Sequence, residues 1–291
     1  MFSIGVSLVG VGVTFNPMSD ANPMNRKALL ISVVVNLCVL LVGGCTTRHP
    51  HPAPVMMRVM TYNIHHGEGL DGKVDLARIA KLIKQERADI VALQEVDKGV
   101  RRTALRDMPA ELAALTGMTG IFSNNFLYQG GEYGNAVLTR FPVKSWSNHH
   151  YQMLRPNEQR GILQVVLDVH GRELVFMNTH IDSRPDDAER WLNVGEIEAL
   201  EKQYRGQSMI ICGDFNDLPT SRVYQRMGET FHDTWMQAGQ GDGFSFPANP
   251  PTKRIDYIWI SKDKALLPRK VWIPESKASD HLPVVAEFSF R

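Results

Sequence analysis

Polar residues recur where apolar stretches of this chain end or begin. Asn63 closes a run over residues 58–64, Glu95 follows an apolar run over 90–93, and His180 follows the arm 173–179. Asp214 and Asn216 come just after residues 208–212, Asp256 lies within 254–260, and Asp280-His281 precede the last apolar segment. A carboxylate ending a buried strand is costly unless it is paired or holds a cation. Strand ends are also where a rigid sheet offers side chains to a shared cleft. The donors are mostly hard oxygens, from Asn63, Glu95, Asp214, Asn216, Asp256 and Asp280, and such ligands suit magnesium or manganese. No Cys/His spacing for structural zinc occurs, nor a Gly-x-Ser-x-Gly elbow for a serine nucleophile. Glycoside hydrolysis needs two carboxylates and leaves the asparagines and histidines unexplained. Phosphate ester cleavage employs the whole set: a cation on the phosphate, an acidic residue to deprotonate water, and donors for the transition state.

Each residue alone also has a plainer use. Asn63 can cap a turn, Asp214 and Asn216 can form an Asx turn with Gly213, and Asp280 can cap a turn before Pro283. Glu95 can sit in solvent after its strand, His180 can be a hydrogen-bonded strand-end histidine, and Asp256 can pair with Arg254. Arg101-Arg102 reads as a solvated basic pair rather than a phosphate clamp. His65, His66, His149 and His150 read as solvated or loop histidines, with His65-His66 near enough to Asn63 to reach a cleft.

The elements that must position these residues follow from periodicity and punctuation. Alternation predicts a strand over 58–64, bounded by Gly67 and Gly69. Asp75 caps an expected helix over 76–86, with Leu76, Ile79, Ala80 and Ile83 on its inner face. Residues 90–93 and 135–139 are expected strands, and Asp107 and Gly117 bracket an expected helix between them. Residues 161–169 and 173–179 flank His170-Gly171-Arg172 as a hairpin. Residues 186–203 are an expected helix with Trp191, Val194, Ile197 and Leu200 at core spacings. Residues 208–212, 255–260 and 282–290 complete the expected strands. Helices mixed with a hairpin exclude an all-parallel barrel and predict α/β layers with sheets of mixed direction.

In chain order, Thr61-Tyr62-Asn63, Leu93-Gln94-Glu95-Val96, Gly134-Asn135-Ala136-Val137-Leu138, Asn178-Thr179-His180, Gly213-Asp214-Phe215-Asn216, Arg254-Ile255-Asp256-Tyr257 and Ser279-Asp280-His281 resemble the motif series of the endonuclease/exonuclease/phosphatase (deoxyribonuclease I-like) family. The likeness covers about residues 57–290. It implies a four-layer α/β sandwich, two mixed β-sheets face to face with helices outside. It implies a phosphoric ester hydrolase using Mg2+ or Mn2+, in which Glu95 is the principal metal ligand and Asn63 and Asp280 lie close to the same ion or its waters. Asp214 would position and activate the attacking water, helped by Asn216. Asp256 would pair with His281 and fix its tautomer, and His281 would hydrogen-bond the phosphate. His180 would contact the phosphate or assist the leaving group. Arg160, in Glu158-Gln159-Arg160-Gly161, is a candidate phosphate contact.

The family contains nucleases, sphingomyelinases and inositol polyphosphate phosphatases, so lipid headgroups, inositol phosphates and nucleic acid all stand as substrates. A nuclease specifically, or a non-catalytic module that binds phosphate or a headgroup on the same fold, is the alternative. A complete set of Glu95, Asp214, Asp256, Asp280 and His281 favours the enzyme, and a purely structural envelope protein has no use for it. The chain has 32 basic and 31 acidic residues, and without Asp20, Arg26 and Lys27 the remainder is balanced. Proteins that grip long nucleic acid usually carry a basic excess. The balance favours small or membrane-embedded phosphoesters.

Residues 1–45 have another character. Arg26-Lys27 precede an uncharged apolar run, residues 28–42, followed by Gly43-Gly44-Cys45. This is the layout of an export signal, and the run is short of the ~20 residues of a spanning helix. Its end resembles a bacterial lipobox, which implies cleavage before Cys45 and lipidation of that cysteine; an uncleaved membrane anchor is the alternative. Met24, just before Asn25-Arg26-Lys27, is a second candidate start. Residues 46–55 read as an extended tether and residues 56–291 as one domain. The expectation is a monomer held on a membrane of the bacterial cell envelope by its N-terminal lipid, with the domain outside the cytoplasm. Of the three cysteines only Cys212 falls in the domain. It cannot form an internal disulfide and reads as a small buried hydrophobe.

Overall fold

A computed structural model describes residues 53–291. The N-terminal signal, Cys45 and most of the expected tether lie outside the described residues. The strands are β1 (Val55–Asn63), β2 (Ile90–Lys98), β3 (Thr119–Tyr128), β4 (Gly131–Thr139), β5 (Val143–His150), β6 (Gly161–Val169), β7 (Arg172–His180), β8 (Ser208–Asp214), β9 (Phe231–Asp233), β10 (Asp256–Ser261), β11 (Leu266–Trp272) and β12 (Val284–Phe290). The helices are α1 (Leu76–Glu86), α2 (Met108–Thr116), α3 (Ala188–Gln203), α4 (Arg222–Thr230) and α5 (Thr234–Ala238).

The helices start and stop where their side chains satisfy the free backbone groups of a terminus. The Asp75 carboxylate accepts from the amides of Ala77 and Arg78 at the start of α1, and Arg87 closes it in a left-handed conformation. Asp107 accepts from the Ala110 amide at the start of α2, and Gly117 ends it at φ 69°. A left-handed end of this kind costs glycine little.

The strands form two six-stranded sheets, β11-β12-β1-β2-β4-β3 and β5-β6-β7-β8-β10-β9. β1 runs antiparallel to β12 and parallel to β2, and β8 runs parallel to β7 and antiparallel to β10. Both sheets are therefore mixed. Three apolar layers hold the domain. Between the sheets, Val59, Ala92 and Val137 meet Val165, Phe176, Ile210 and Cys212. On one outer face α1 and α2 cover Tyr62, Val91 and Leu93 with Ile79, Ile83 and Leu112. On the other, α3 and α4 cover Val175, Ile211 and Trp259 with Val194, Ile197 and Met227. This is the four-layer α/β sandwich expected from the sequence, and Cys212 sits fully buried in its centre.

Some expectations need correction. Trp191 is 38% exposed rather than in the core; its ring lies under the guanidinium groups of Arg222 and Arg226. Spacing on a helix marks a face, but a wide face reaches its flank, where an aromatic ring is covered by cations instead of by the sheet. Arg102 is not simply solvated, because it forms a bidentate pair with the fully buried Asp97 and stacks near Tyr128 and Tyr133. β1 begins at Val55, inside the expected tether.

Candidate active site

Register in the second sheet aligns three of the expected residues. His180 on β7 pairs with Asp214 on β8, and Asp214 pairs with Asp256 on β10. Residues directly paired across strands share one face of a sheet, so the three side chains form a row. Asp214 and Asp256 are buried. Gly213 makes this approach possible, since a Cβ there would come within 2.0 Å of the Thr179 carbonyl oxygen.

The first sheet supplies the facing wall. Asn63 ends β1 opposite Gln94 of β2. The β2-β4 pairing slips between Leu93 and Val96, and Glu95 sits in that bulge at φ 58°. A bulge re-aims a side chain, and this one turns Glu95 toward Asn63. The Asn63 side-chain amide donates to Glu95 Oε1 at 2.9 Å and to Asp214 Oδ2 at 3.1 Å, so one residue spans both sheets. The loop before β12 closes the third side. Ser279 Oγ lies 2.8 Å from the Asn63 carbonyl oxygen and 3.2 Å from Asp280 Oδ1, which sets Asp280 beside the end of β1.

The histidines differ in environment. His281 Nδ1 donates to Asp256 Oδ2 at 2.9 Å, and its Nε2 is 3.7 Å from Asp214 Oδ2. Ser245 Oγ donates to the same Asp256 oxygen at 2.6 Å. Burial pushes His281 down, but the Asp256 and Asp214 carboxylates outweigh it and raise its pKa to about 10. Asp214 is pushed up to about 7, first by burial and then by Asp256, with His281 opposing. His180 is held well below its ordinary value by burial, then by the Arg160 and His281 charges. Arg160 Nη1 sits 2.9 Å from His180 Nδ1. Arginine can only donate, so Nδ1 accepts from it. Nε2 lies 3.0 Å from the Asn216 side-chain nitrogen, also a donor, and 3.5 Å from Asp214 Oδ2.

Asn63, His180, Asn216, Asp256 and His281 thus surround Asp214, Glu95 joins through Asn63, Asp280 through Ser279, and Arg160 through His180. Its Nη2 pairs with Glu158 at 3.1 Å, while its buried Nε has no partner. Asp214 also forms the Asx turn that its sequence allowed, accepting from the Asn216 amide at 2.9 Å. The alternative pairing of Asp256 with Arg254 does not occur; Arg254 pairs with Asp233. Sequence reasoning missed several supporting residues. Ser245 and Phe246 come from the loop before β10, and Phe246 packs on His281 with ring centroids 4.6 Å apart. Tyr133 on β4 is held protonated by burial and then by the Glu95 charge. Nothing in their local pattern marks them. Asn135 and Asn178 do sit in the quoted motifs, and both prove to be bolts between the sheets. Asn178 Nδ2 donates to the Leu93 and Ala136 carbonyls and its Oδ1 accepts from Gln94, while Asn135 donates to the Gly161 carbonyl.

The donor set fits a hard divalent cation. Among the described residues, Glu95 has no ion pair and Asp280 has only His65 Nδ1 at 3.9 Å. Two half-buried carboxylates without a strong counter-charge, flanking an asparagine, call for a positive charge.

Residues 60–281 match the sequence profile of the Endonuclease/Exonuclease/phosphatase family. Over 254 residues the chain is 27% identical to the Escherichia coli K12 protein YbhP, named as uncharacterized, covering 79% of this chain and 95% of that one. Among solved structures, the human Nocturnin catalytic domain with a bound sulfate anion superposes with a TM-score of 0.64 at 23% identity, covering 84% of this chain and 100% of that one. The mannosyl-6-phosphatase Bt3783 of Bacteroides thetaiotaomicron superposes with a TM-score of 0.66 at 19% identity, covering 80% and 100%. These two likenesses concern the fold.

Proposed function

The chain belongs to the Endonuclease/Exonuclease/phosphatase family, whose members are metal-dependent phosphoesterases, and from that premise we propose that it hydrolyses phosphodiesters or phosphomonoesters by in-line attack of an activated water. The observation that supports this most is the setting of Asp214: buried, held by Asn63, with a neutral imidazole on one side and a cationic one on the other. Glu95, with Asn63 and Asp280 beside it, would hold magnesium or manganese, which neutralises phosphate charge and favours hydroxide over water.

Asp214 takes the proton of the attacking water. A carboxyl raised toward neutrality is matched to that task. His281, kept cationic and oriented by Asp256, offers Nε2-H to a phosphate oxygen as negative charge grows there. Asn216 and the unpartnered Arg160 Nε offer further donors to the phosphate. His180 contacts a phosphate or leaving-group oxygen, with Arg160 holding its ring through Nδ1.

Charge balance supports small or membrane-embedded substrates over long duplex nucleic acid. The basic-apolar-small sequence ending at Cys45 supports a lipid-anchored protein whose domain lies outside the cytoplasm. The test is hydrolysis of bis-p-nitrophenyl phosphate, p-nitrophenyl phosphate, plasmid DNA and vesicles of sphingomyelin or phosphatidylinositol, with Mg2+ or Mn2+ and then EDTA. Turnover lost with EDTA and in Asp214→Ala and His281→Ala is the expected result. A folded, metal-loaded chain that turns over none of these rejects the hydrolytic reading in favour of a binding module, and preference for plasmid DNA makes it a nuclease.

A further inference from the structure

Two histidines beside the cleft, His65 and His66, have no part in the hydrolytic arrangement. His65 and His66 form a 3-10 turn directly after β1, tied down by the His65 amide on Asn63 Oδ1 and the Ile64 amide on the Gln94 carbonyl. Their rings meet edge to face with centroids 4.4 Å apart. One ligand atom from each, and one carboxylate oxygen of Glu95, all lie within 4.8 Å of one another. Bonds of ~2.0–2.2 Å from nitrogen and oxygen to one ion close such a triangle with small rotamer shifts. His66 is buried, and its Nδ1 has no hydrogen-bond partner. Its Nε2 lies 3.5 Å from Glu68 Oε2, the carboxylate support that metal-bound imidazoles usually have. Asp280, 3.9 Å from His65, adds an oxygen donor at the edge of the cluster.

We propose that His65, His66 and Glu95 form a nitrogen-bearing cation site that takes a zinc-class transition-metal ion in preference to magnesium. Imidazole nitrogen favours zinc, cobalt and nickel, whereas magnesium demands an oxygen shell. Glu95 joins this site to the hydrolytic one. Its Oε1 faces Asn63, and a carboxylate has a second oxygen with which to bridge two ions, as in two-metal phosphoesterase centres. The site goes beyond the hydrolytic reading and does not depend on it.

The experiment uses the tag-free full chain, stripped with EDTA and dialysed into saturating Mg2+ to fill oxygen-only sites. Co2+ is titrated in, read by visible absorption and by calorimetry, and then displaced with Zn2+. The wild type is expected to develop the ligand-field bands of nitrogen-bound Co2+ and to yield them to Zn2+. His66→Ala and His65→Gln each weaken Co2+ and Zn2+ binding by at least about tenfold, while Mg2+ binding measured alone changes little. His65→Gln, at the more exposed position, keeps the test open if the buried change unfolds the chain. Folded His65→Gln and His65→Ala/His66→Ala proteins with the wild-type isotherm and spectrum overturn the proposal. A chain that hydrolyses phosphoesters with that same outcome loses the site and keeps the hydrolase. Uptake of Co2+ through the histidines without hydrolysis keeps the site and rejects the hydrolase.

Discussion

Two clusters share one cleft and differ in nearly every physical respect. Asp214, Asp256 and His281 are buried, come from β8, β10 and the loop before β12, and consume one another's charge. His65, His66 and Glu95 come from the turn after β1 and the bulge of β2; His65 and Glu95 are half-buried, and the buried His66 leaves its Nδ1 unmatched. The closed cluster sets two carboxylates against one imidazolium, so its members fix one another's protonation states, with Asp256 Oδ1 alone lacking a partner. The open cluster is unbalanced, so it has room for an incoming charge. A buried group has its proton affinity set by neighbours, whereas an exposed one is set by solvent and by whatever binds.

That contrast can be broken from the closed side first. Asp214→Ala and His281→Ala should each lower kcat by about 10²–10⁴, measured on bis-p-nitrophenyl phosphate with unchanged circular dichroism. Loss of less than tenfold would remove these residues from the chemistry. Asp256→Asn should cost about 10²-fold and change the pH profile. In the wild type, turnover should rise as the Asp214 carboxyl deprotonates around 7 and fall as His281 loses its proton around 10. These limbs belong to the coupled cluster rather than to either residue alone. Without the Asp256 charge, His281 is a weaker base, so the alkaline limb should move to lower pH. An alkaline limb that stays in place would mean that Asp256 does not set the histidine's charge.

Smaller effects separate binding from stability. Arg160→Met should raise KM about tenfold with a lesser effect on kcat, since its free Nε is a substrate donor in this reading; an equal fall in kcat alone would place it with the transition state. Arg102→Ala should destabilise the fold by about 3 kcal/mol, because it leaves the fully buried Asp97 carboxylate with only the Thr103 hydroxyl as a side-chain partner. Urea unfolding would measure it. Trp191→Ala should cost about 1 kcal/mol or less, as expected for an exposed cation-π contact. A loss of about 3–5 kcal/mol would return that residue to the core.

The strands legible in the sequence were β1, β2, β4, β6, β7, β8, β10 and β12, and these are the interior strands of the two sheets. The strands that escaped it, β3, β5, β9 and β11, are the edges. An interior strand is buried on both faces and reads as an apolar run, as Val91, Ala92 and Leu93 do in β2. An edge strand such as β5 pairs on one side and faces solvent elsewhere, so Lys144, Ser145, Trp146 and Ser147 are exposed and show no run to detect. Helices α1 and α2 were legible through their caps, Asp75, Asp107 and Gly117. The site was legible in its strand-end residues because each interrupts an apolar segment. Ser245 and Phe246 were not, since a loop residue acquires its role only when the chain folds over Asp256 and His281.

The pairing of β1 with β12 has a consequence for how the protein comes into being. The first strand of the domain finds one neighbour in β2 but the other only in residues 284–290, and the same late stretch delivers Asp280 and His281. A contact between the two ends of a chain adds heavily to its mean sequence separation and slows folding. A ribosome-bound chain cannot close its first sheet, and the cleft cannot be assembled, until residues 280–290 have emerged. A copy made only as far as β10 therefore carries Asn63, Glu95, Asp214 and Asp256 but lacks the segment that brings Asp280 and His281 to them.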